Sequence, residues 1–177
     1  MGDPQPRRVE VRIVIEVARI AGMIVLALVQ VTLMPVIGGI PVPLVLLGLL
    51  CWLLVRIEMQ GTLARTTLAL RLALYGGVAL DFLTAMALGS HALALMLAIL
   101  LAASVCGRLR VEMLVLAIPA LAGATLVYEV VLALIYHSTT TALEWQPYAI
   151  AVLAPAIGLA VLVGMPLYLM LRWRLRS

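Results

Sequence analysis

Long apolar runs, separated by short polar connections, make up most of this 177-residue chain. A helix of about 20 apolar residues crosses a bilayer, so the chain has room for roughly six spans and little else. No run shows the period-two alternation of a strand, and runs of this length are typical of helices. The sequence therefore predicts an all-α, multi-pass membrane protein whose residues 1–177 form one compact transmembrane domain.

The composition excludes the main soluble classes. Apolar residues make up 66% of the chain and charged residues 11%, whereas a soluble domain is usually about half apolar and a quarter charged. This excludes a water-soluble globule, a disordered chain and a nucleic-acid-binding domain. The pI of 9.6 comes from arginines that lie mostly at span ends, where they act as topology signals. We expect the chain to contact the lipid bilayer and to bind no nucleic acid.

Prolines and glycines mark several of the expected span ends. The predicted spans are residues 13–34, 41–57, 68–88, 91–107, 111–136 and 148–171. The first span could be mistaken for a signal peptide. However, its flank carries Glu10 and Glu16, and no small-x-small cleavage site follows the apolar run. We therefore interpret it as a retained span.

The arginines indicate an orientation for the bundle. They precede the first span, lie between the second and third and between the fourth and fifth spans, and follow the sixth. The alternate connections contain none. Because basic residues stay on the cytoplasmic side, both termini are predicted to be cytoplasmic. Trp52 and Trp173 would then lie at the inner interface, and Trp145 and Tyr148 at the outer one.

Small residues recur at every fourth position in several spans. Such ridges let helices approach closely in lipid, where association brings no hydrophobic gain. The sequence alone leaves open whether each ridge faces this chain or a partner. The ridges are Ala69, Ala73 and Gly77; Ala94, Ala98 and Ala102; Ala156, Ala160 and Gly164; and the shorter pair Ala18 and Gly22.

Two carboxylates inside predicted spans are the most informative residues. Asp81 and Glu129 each carry an insertion cost of roughly 2.5–3.5 kcal/mol if charged at the centre of a span. Asp81 is either a proton or ion site, a polar contact to a partner helix, or a structural group that locks the bundle. The topology places possible companions in the same outer half of the membrane, and a shared polar cluster is a hypothesis. These companions are Gln30, Tyr128, His91 and His137.

A charged pattern also lies in the first span. Arg12, Glu16 and Arg19 are three and four residues apart, so they share a helix face and can pair. We favour a helix that protrudes into the cytoplasm with Arg19 snorkelling to the interface. The alternative is a polar seam for another helix, continued by Gln30.

Signatures of catalysis and metal binding are scarce. No serine has a GxSxG setting, and there is no HExxH motif or phosphate-binding loop. Ser90 and His91 follow Gly89 and are better explained as the cap of a helix. Cys51 and Cys106 lack metal-ligand spacing and are expected to be small buried hydrophobes. We expect no catalytic residue, no metal and no cofactor.

The stretch from Pro43 to Leu109 resembles the bacterial rod shape-determining protein family MreD. The features that carry the resemblance are Pro43-Leu44 at the start of the second span, Gly61 in a polar connector, Gly77 with Asp81, and Gly89 before an Ala/Leu-rich helix. The acidic or amide residue that usually follows the second-span proline in that family is replaced here by Leu44.

The resemblance implies a function. MreD-like proteins are non-catalytic, multi-pass inner-membrane subunits of the bacterial peptidoglycan elongation machinery. They associate with the bitopic protein MreC and, through it, with the RodA glycosyltransferase, a class B penicillin-binding transpeptidase and the MreB cytoskeleton. Their fold is similar to the six-helix substrate-binding subunits of energy-coupling-factor transporters. Asp81 would then support the bundle or the groove that receives a partner helix.

A second function remains open at this point. The chain could be a small-molecule-binding membrane transport subunit, with Asp81, Glu129, Gln30 and the histidines lining an outward-facing pocket. A scaffold should co-purify with an MreC-like protein, whereas a transport subunit should be stabilised by a vitamin or an ion. An intramembrane enzyme has the least support.

Overall fold

The computed structural model describes residues 6–33, 42–60, 63–84, 86–108, 113–139 and 145–176, and every regular element in these ranges is helical. The predicted end of the first span at residue 34, the predicted start of the second at residue 41 and that of the fifth at residue 111 lie outside them, as do Gly61 and the side chain of Trp145. The helices are α1 (Pro6–Leu33), α2 (Leu44–Gln60), α3 (Leu63–Leu83), α4 (Ser90–Arg108), α5 (Met113–Thr139), α6 (Trp145–Tyr148), a π-helical turn (Ala149–Leu153) and α7 (Ala154–Arg176).

Within the described ranges, five helices are long and apolar enough to cross a membrane. They lie in α1, α3, α4, α5 and the continuous helix that runs from α6 through the π-helical turn into α7. The all-helical prediction is therefore confirmed, and the length and composition of these helices indicate a multi-pass membrane protein. α2, with 17 residues, is shorter than these five helices.

α2 lies at the centre of the bundle. It contacts α1, α3, α4, α5 and α7, and most of its side chains are completely enclosed, including Leu46, Leu50 and Leu54. A helix that is apolar on every side is expected to be buried in protein or in lipid. Here it is buried in protein, because its neighbours surround it.

The α3, α4 and α7 small-residue ridges face the interior of the bundle. Ala73 in α3, Ala98 in α4 and Ala160 in α7 have no exposed surface. At Gly77 the two backbones come so close that an added Cβ would collide with the backbone of Ala92 at the start of α4. In α1, by contrast, Gly22 is exposed, and an added Cβ would meet nothing within 4 Å.

The end of α3 and the course of the last helix are two of the features that differ from the predicted spans. α3 ends at Leu83 instead of residue 88, because the chain reverses before α4 through Gly89, whose φ of +95° favours glycine. The last helix widens into the π-helical turn just before α7. Pro155 lacks an N–H and its ring crowds the carbonyl four residues earlier, and such a turn accommodates both effects.

An ion pair holds α2 against α7 at the end of the bundle where α2 finishes. The Arg172 guanidinium donates to Glu58 at 2.8 Å, and the Tyr168 hydroxyl donates to the other oxygen of Glu58 at 3.4 Å. Arg172 and Glu58 are largely but not fully shielded. This pair is distant in sequence from the carboxylates Asp81 and Glu129.

Candidate functional site

Buried polar side chains gather where α1 and α3 end and where α2 and α4 begin. Asp81, His91 and Glu129 are each less than one-tenth exposed, and the same is true of Tyr128. Gln30 joins them from the last turn of α1. The predicted companion His137 is exposed on the last turn of α5, two turns beyond Glu129. The sequence therefore identified most members of this polar cluster.

Asp81 caps the N-terminus of α4. Its Oδ2 accepts a hydrogen bond from the Gly89 N–H at 2.8 Å, and its Oδ1 accepts one from the His91 N–H at 2.9 Å. The first N–H groups of a helix have no partner within that helix. Leaving them unpaired inside a membrane costs several kcal/mol each. Each Asp81 oxygen has one such donor, so this residue has a structural role at the junction of α3 and α4.

Gln30 has the equivalent role for α2. Its Oε1 accepts a hydrogen bond from the Val45 N–H at 2.9 Å, and Val45 lies in the first turn of α2. The last turn of α1 thereby supplies a hydrogen-bond acceptor for an N–H group that has no acceptor within α2. Two of the predicted site residues are thus caps provided by a neighbouring helix.

His91 is fixed in one tautomer by its neighbours. Its Nδ1 lies 2.9 Å from the Tyr128 hydroxyl, and its Nε2 lies 3.1 Å from Thr84 Oγ1. The Thr84 hydroxyl already donates to the Leu80 carbonyl at 2.9 Å, so it must accept from His91. Nε2 therefore carries the proton and Nδ1 accepts from Tyr128. Both ring nitrogens are engaged, which leaves His91 without a free basic nitrogen.

Glu129 differs from Asp81 in its hydrogen bonding. It is 3% exposed, its Oε2 accepts one long hydrogen bond from the Tyr148 hydroxyl at 3.3 Å, and its Oε1 has no partner among the residues that the structure describes. The Thr125 hydroxyl, one turn earlier on α5, is also buried and without a partner. A buried carboxylate oxygen without a donor is uncommon in a folded protein. Glu129 therefore differs from Asp81 in having one carboxylate oxygen that accepts no hydrogen bond from the described residues.

Two adjoining cavities meet at Glu129. The first has a volume of about 270 Å³ and the second about 320 Å³. They share Met86, Glu129 and Leu132. The first is also lined by Gln30, Val31, Val42, Pro43, Thr84, His91 and Tyr128, and the second by Ala133, Tyr136, Tyr148 and Val152. A mostly apolar cavity with a few convergent polar groups has the character of a small-ligand site.

Glu16 and Arg19 lie apart from the polar cluster, on α1. They form an ion pair at 3.2 Å in which both side chains remain about one-third exposed. Their helix face also carries the buried Met23, so the pair is turned toward the bundle. Arg19 thus has an acceptor on its own helix.

Two contributors to the site were not recognised in the sequence. Thr84 fixes the His91 tautomer, and Tyr148, predicted only as an interfacial aromatic, donates to Glu129. The spacing of residues along a helix does not predict either contact. Thr84 lies in the turn after α3, and Tyr148 reaches α5 from a different helix.

Within the described ranges, no three His, Cys, Asp or Glu side chains come together as a metal site. Cys51 and Cys106 are buried free thiols, and Cys51 donates to the Gly164 carbonyl at 3.4 Å.

No family model, curated protein or solved structure matches the chain, so the resemblance to the MreD family rests on the sequence motifs.

Proposed function

We propose that this chain is a non-catalytic membrane scaffold of the MreD type, acting in the bacterial inner membrane as a subunit of the peptidoglycan elongation complex. In this proposal α2 is the sixth span and both termini are cytoplasmic. The partner is the single membrane helix of an MreC-like protein, through which RodA and a class B transpeptidase join the complex. The proposal is supported by the sequence motifs and by the exposed surface of α1.

One face of α1 is exposed along most of the helix. Val14, Ala18, Gly22, Val25 and Val29 recur every three or four residues, so they share this face, and all five are exposed. We call these five residues the docking face. On the other side of the helix, Met23 and Ala27 are buried against the bundle. α1 therefore contacts the bundle on one side and leaves the docking face open.

The absence of any contact at Gly22 is the single observation that carries the proposal. Helices in lipid associate through close backbone contact at small residues. The three ridges on α3, α4 and α7 are used inside the bundle, whereas Ala18 and Gly22 are exposed and Gly22 has nothing within 4 Å of an added Cβ. A partner helix could approach the α1 backbone closely at this point.

The test compares two glycines that are equally free of neighbours. Gly22→Leu fills the docking face, whereas Gly158→Leu adds the same bulk to an exposed part of α7, where an added Cβ also meets nothing within 4 Å. We expect Gly22→Leu to lose co-purification of the MreC-like protein in mild detergent and to make rod-shaped cells round. Gly158→Leu should retain both. Equal partner capture by the two variants would contradict the proposal.

A photo-crosslinking amino acid tests the same face in native membranes. Placed at Val25, it should capture the MreC-like protein. Placed at Leu162, an exposed residue of α7, it should not. Capture of that partner from Leu162 alone would move the interface away from α1 and contradict the proposal.

The alternative function, a small-molecule-binding membrane subunit, is favoured by the two cavities beside Glu129. It predicts that a small ligand raises the thermal stability of the purified protein, because a ligand that binds only the folded state stabilises it. The cavities and the docking face are separate, so each proposal can fail without the other.

A further inference from the structure

The unpaired oxygen of Glu129 is the strongest unexplained feature of the molecule. The side chain is 97% shielded, it lines both cavities, and no group in the described part of the chain donates a hydrogen bond to its Oε1. Burying an ionised carboxylate without a partner is far more costly than burying one that is paired. Of the described residues, only Tyr148 donates to this carboxylate, through a long hydrogen bond. A further hydrogen-bond donor to Oε1 would remove the free-energy cost of this unpaired oxygen.

The described residues around the cavities supply no cation of their own. None of the lining side chains is Arg or Lys, and the neighbouring His91 has both ring nitrogens engaged. The Asp81 oxygens, each bonded to a backbone N–H, are already used. Glu129 is therefore the carboxylate of the polar cluster that can still accept a hydrogen bond from a positively charged donor.

We propose that the cavities at Glu129 bind a ligand that carries a protonated amine on an apolar body. The ammonium group donates to Glu129 Oε1, and its charge is balanced by the carboxylate. The apolar body lies along Val31, Val42 and Leu132 in the first cavity. This inference deepens the small-molecule alternative and does not depend on the docking face.

The volumes set the size of the ligand. An apolar cavity of about 150 Å³ is known to hold benzene, and the first cavity at Glu129 has about 270 Å³. One aromatic ring with a short aminoalkyl chain fits this space. A free amine is favoured over a phospholipid headgroup, because a phosphate would find no Arg or Lys among the described lining residues.

The test uses two probes of nearly the same shape, 2-phenylethylamine and 2-phenylethanol, on the purified full chain in detergent. We expect the amine, and not the alcohol, to raise the unfolding temperature and to bind in equilibrium dialysis at millimolar concentration. Glu129→Gln should weaken amine binding by about tenfold, the usual effect of losing a charge-assisted hydrogen bond. Glu58→Gln, which changes a carboxylate paired with Arg172 elsewhere in the bundle, should bind the amine as the unchanged protein does.

A second variant keeps the test decisive if Glu129→Gln fails to fold. Leu132→Phe adds bulk where the two cavities meet and keeps the carboxylate, so amine binding should be lost, and unchanged binding would overturn the proposal. Equal effects of amine and alcohol, no amine binding at millimolar concentration, or unchanged binding in Glu129→Gln would each overturn the proposal.

Lipid discs distinguish a free amine from a lipid headgroup. In phosphatidylcholine discs the amine should bind, and adding phosphatidylethanolamine should leave that binding unchanged. Competition by phosphatidylethanolamine that disappears in Glu129→Gln would identify a headgroup as the occupant and overturn the assignment to a free amine.

Discussion

Asp81 and Glu129 are two carboxylates buried to the same extent in one polar cluster, yet their surroundings differ. Asp81 has one backbone N–H on each oxygen, and both donors belong to the start of α4. Glu129 has one long contact from a tyrosine, an oxygen without a donor and a cavity on either side. Burial alone therefore does not indicate function in a membrane bundle. The number of unused acceptors separates the structural carboxylate from the candidate binding group.

Removing the Asp81 carboxylate should cause the largest loss of stability, and it tests the contrast with Glu129 most directly. Asp81→Ala leaves the N–H groups of Gly89 and His91 buried without acceptors. Each unsatisfied donor costs about 1–3 kcal/mol, so a loss of roughly 2–6 kcal/mol is expected, enough to prevent folding. Folded yield and thermal unfolding in detergent measure the effect. Asp81→Asn keeps one acceptor oxygen and should fall between Asp81→Ala and the unchanged protein.

Gly77→Ala should give the next largest effect. The added Cβ would collide with the Ala92 backbone and push the first turn of α4 away from Asp81, while Glu129 on α5 is not touched. Overpacking of this kind costs about 1–3 kcal/mol. Gly22→Ala is the matched control, and its unfolding temperature should not fall, because its Cβ meets nothing and alanine favours a helix over glycine. Similar unfolding temperatures for the two variants would contradict the close contact of α3 with α4.

Gln30→Leu tests whether the second cap behaves like Asp81. It removes the acceptor of a single N–H, that of Val45, so about 1–3 kcal/mol of stability should be lost. Gln30→Glu retains the acceptor oxygen and should be less destabilised when both are compared by thermal unfolding. Equal stability of Gln30→Leu and the unchanged protein would show that the α2 terminus does not depend on this side chain.

Glu129→Gln should give the smallest change in stability. The amide can still accept from Tyr148, and the charge that it removes has no partner in the bundle. No contact between described residues is broken and a buried, unpaired charge is removed, so the unfolding temperature should not fall. A loss of stability as large as that of Asp81→Asn would mean that Glu129 is a structural group as well, and the contrast between the two carboxylates would fail.

Several features of the fold and of the site could be predicted from residues alone. Apolar runs located the helices, and the four-residue spacing identified the ridges through Ala73, Ala98 and Ala160, which are buried in the bundle. Asp81, Glu129 and Gln30 were expected in one polar cluster, and they lie there. The end of α3 was misplaced because the reversal at Gly89 depends on where α4 packs.

By itself the sequence determined that long segments must be helical and must lie in a membrane. Backbone N–H and C=O groups in lipid have to pair within their own segment, and only a helix allows this for a single apolar run. The tertiary structure decided which polar side chains are satisfied. Their donors sit at helix ends far away in the chain, and only packing brings Gly89 and His91 to Asp81 while leaving Glu129 Oε1 without one.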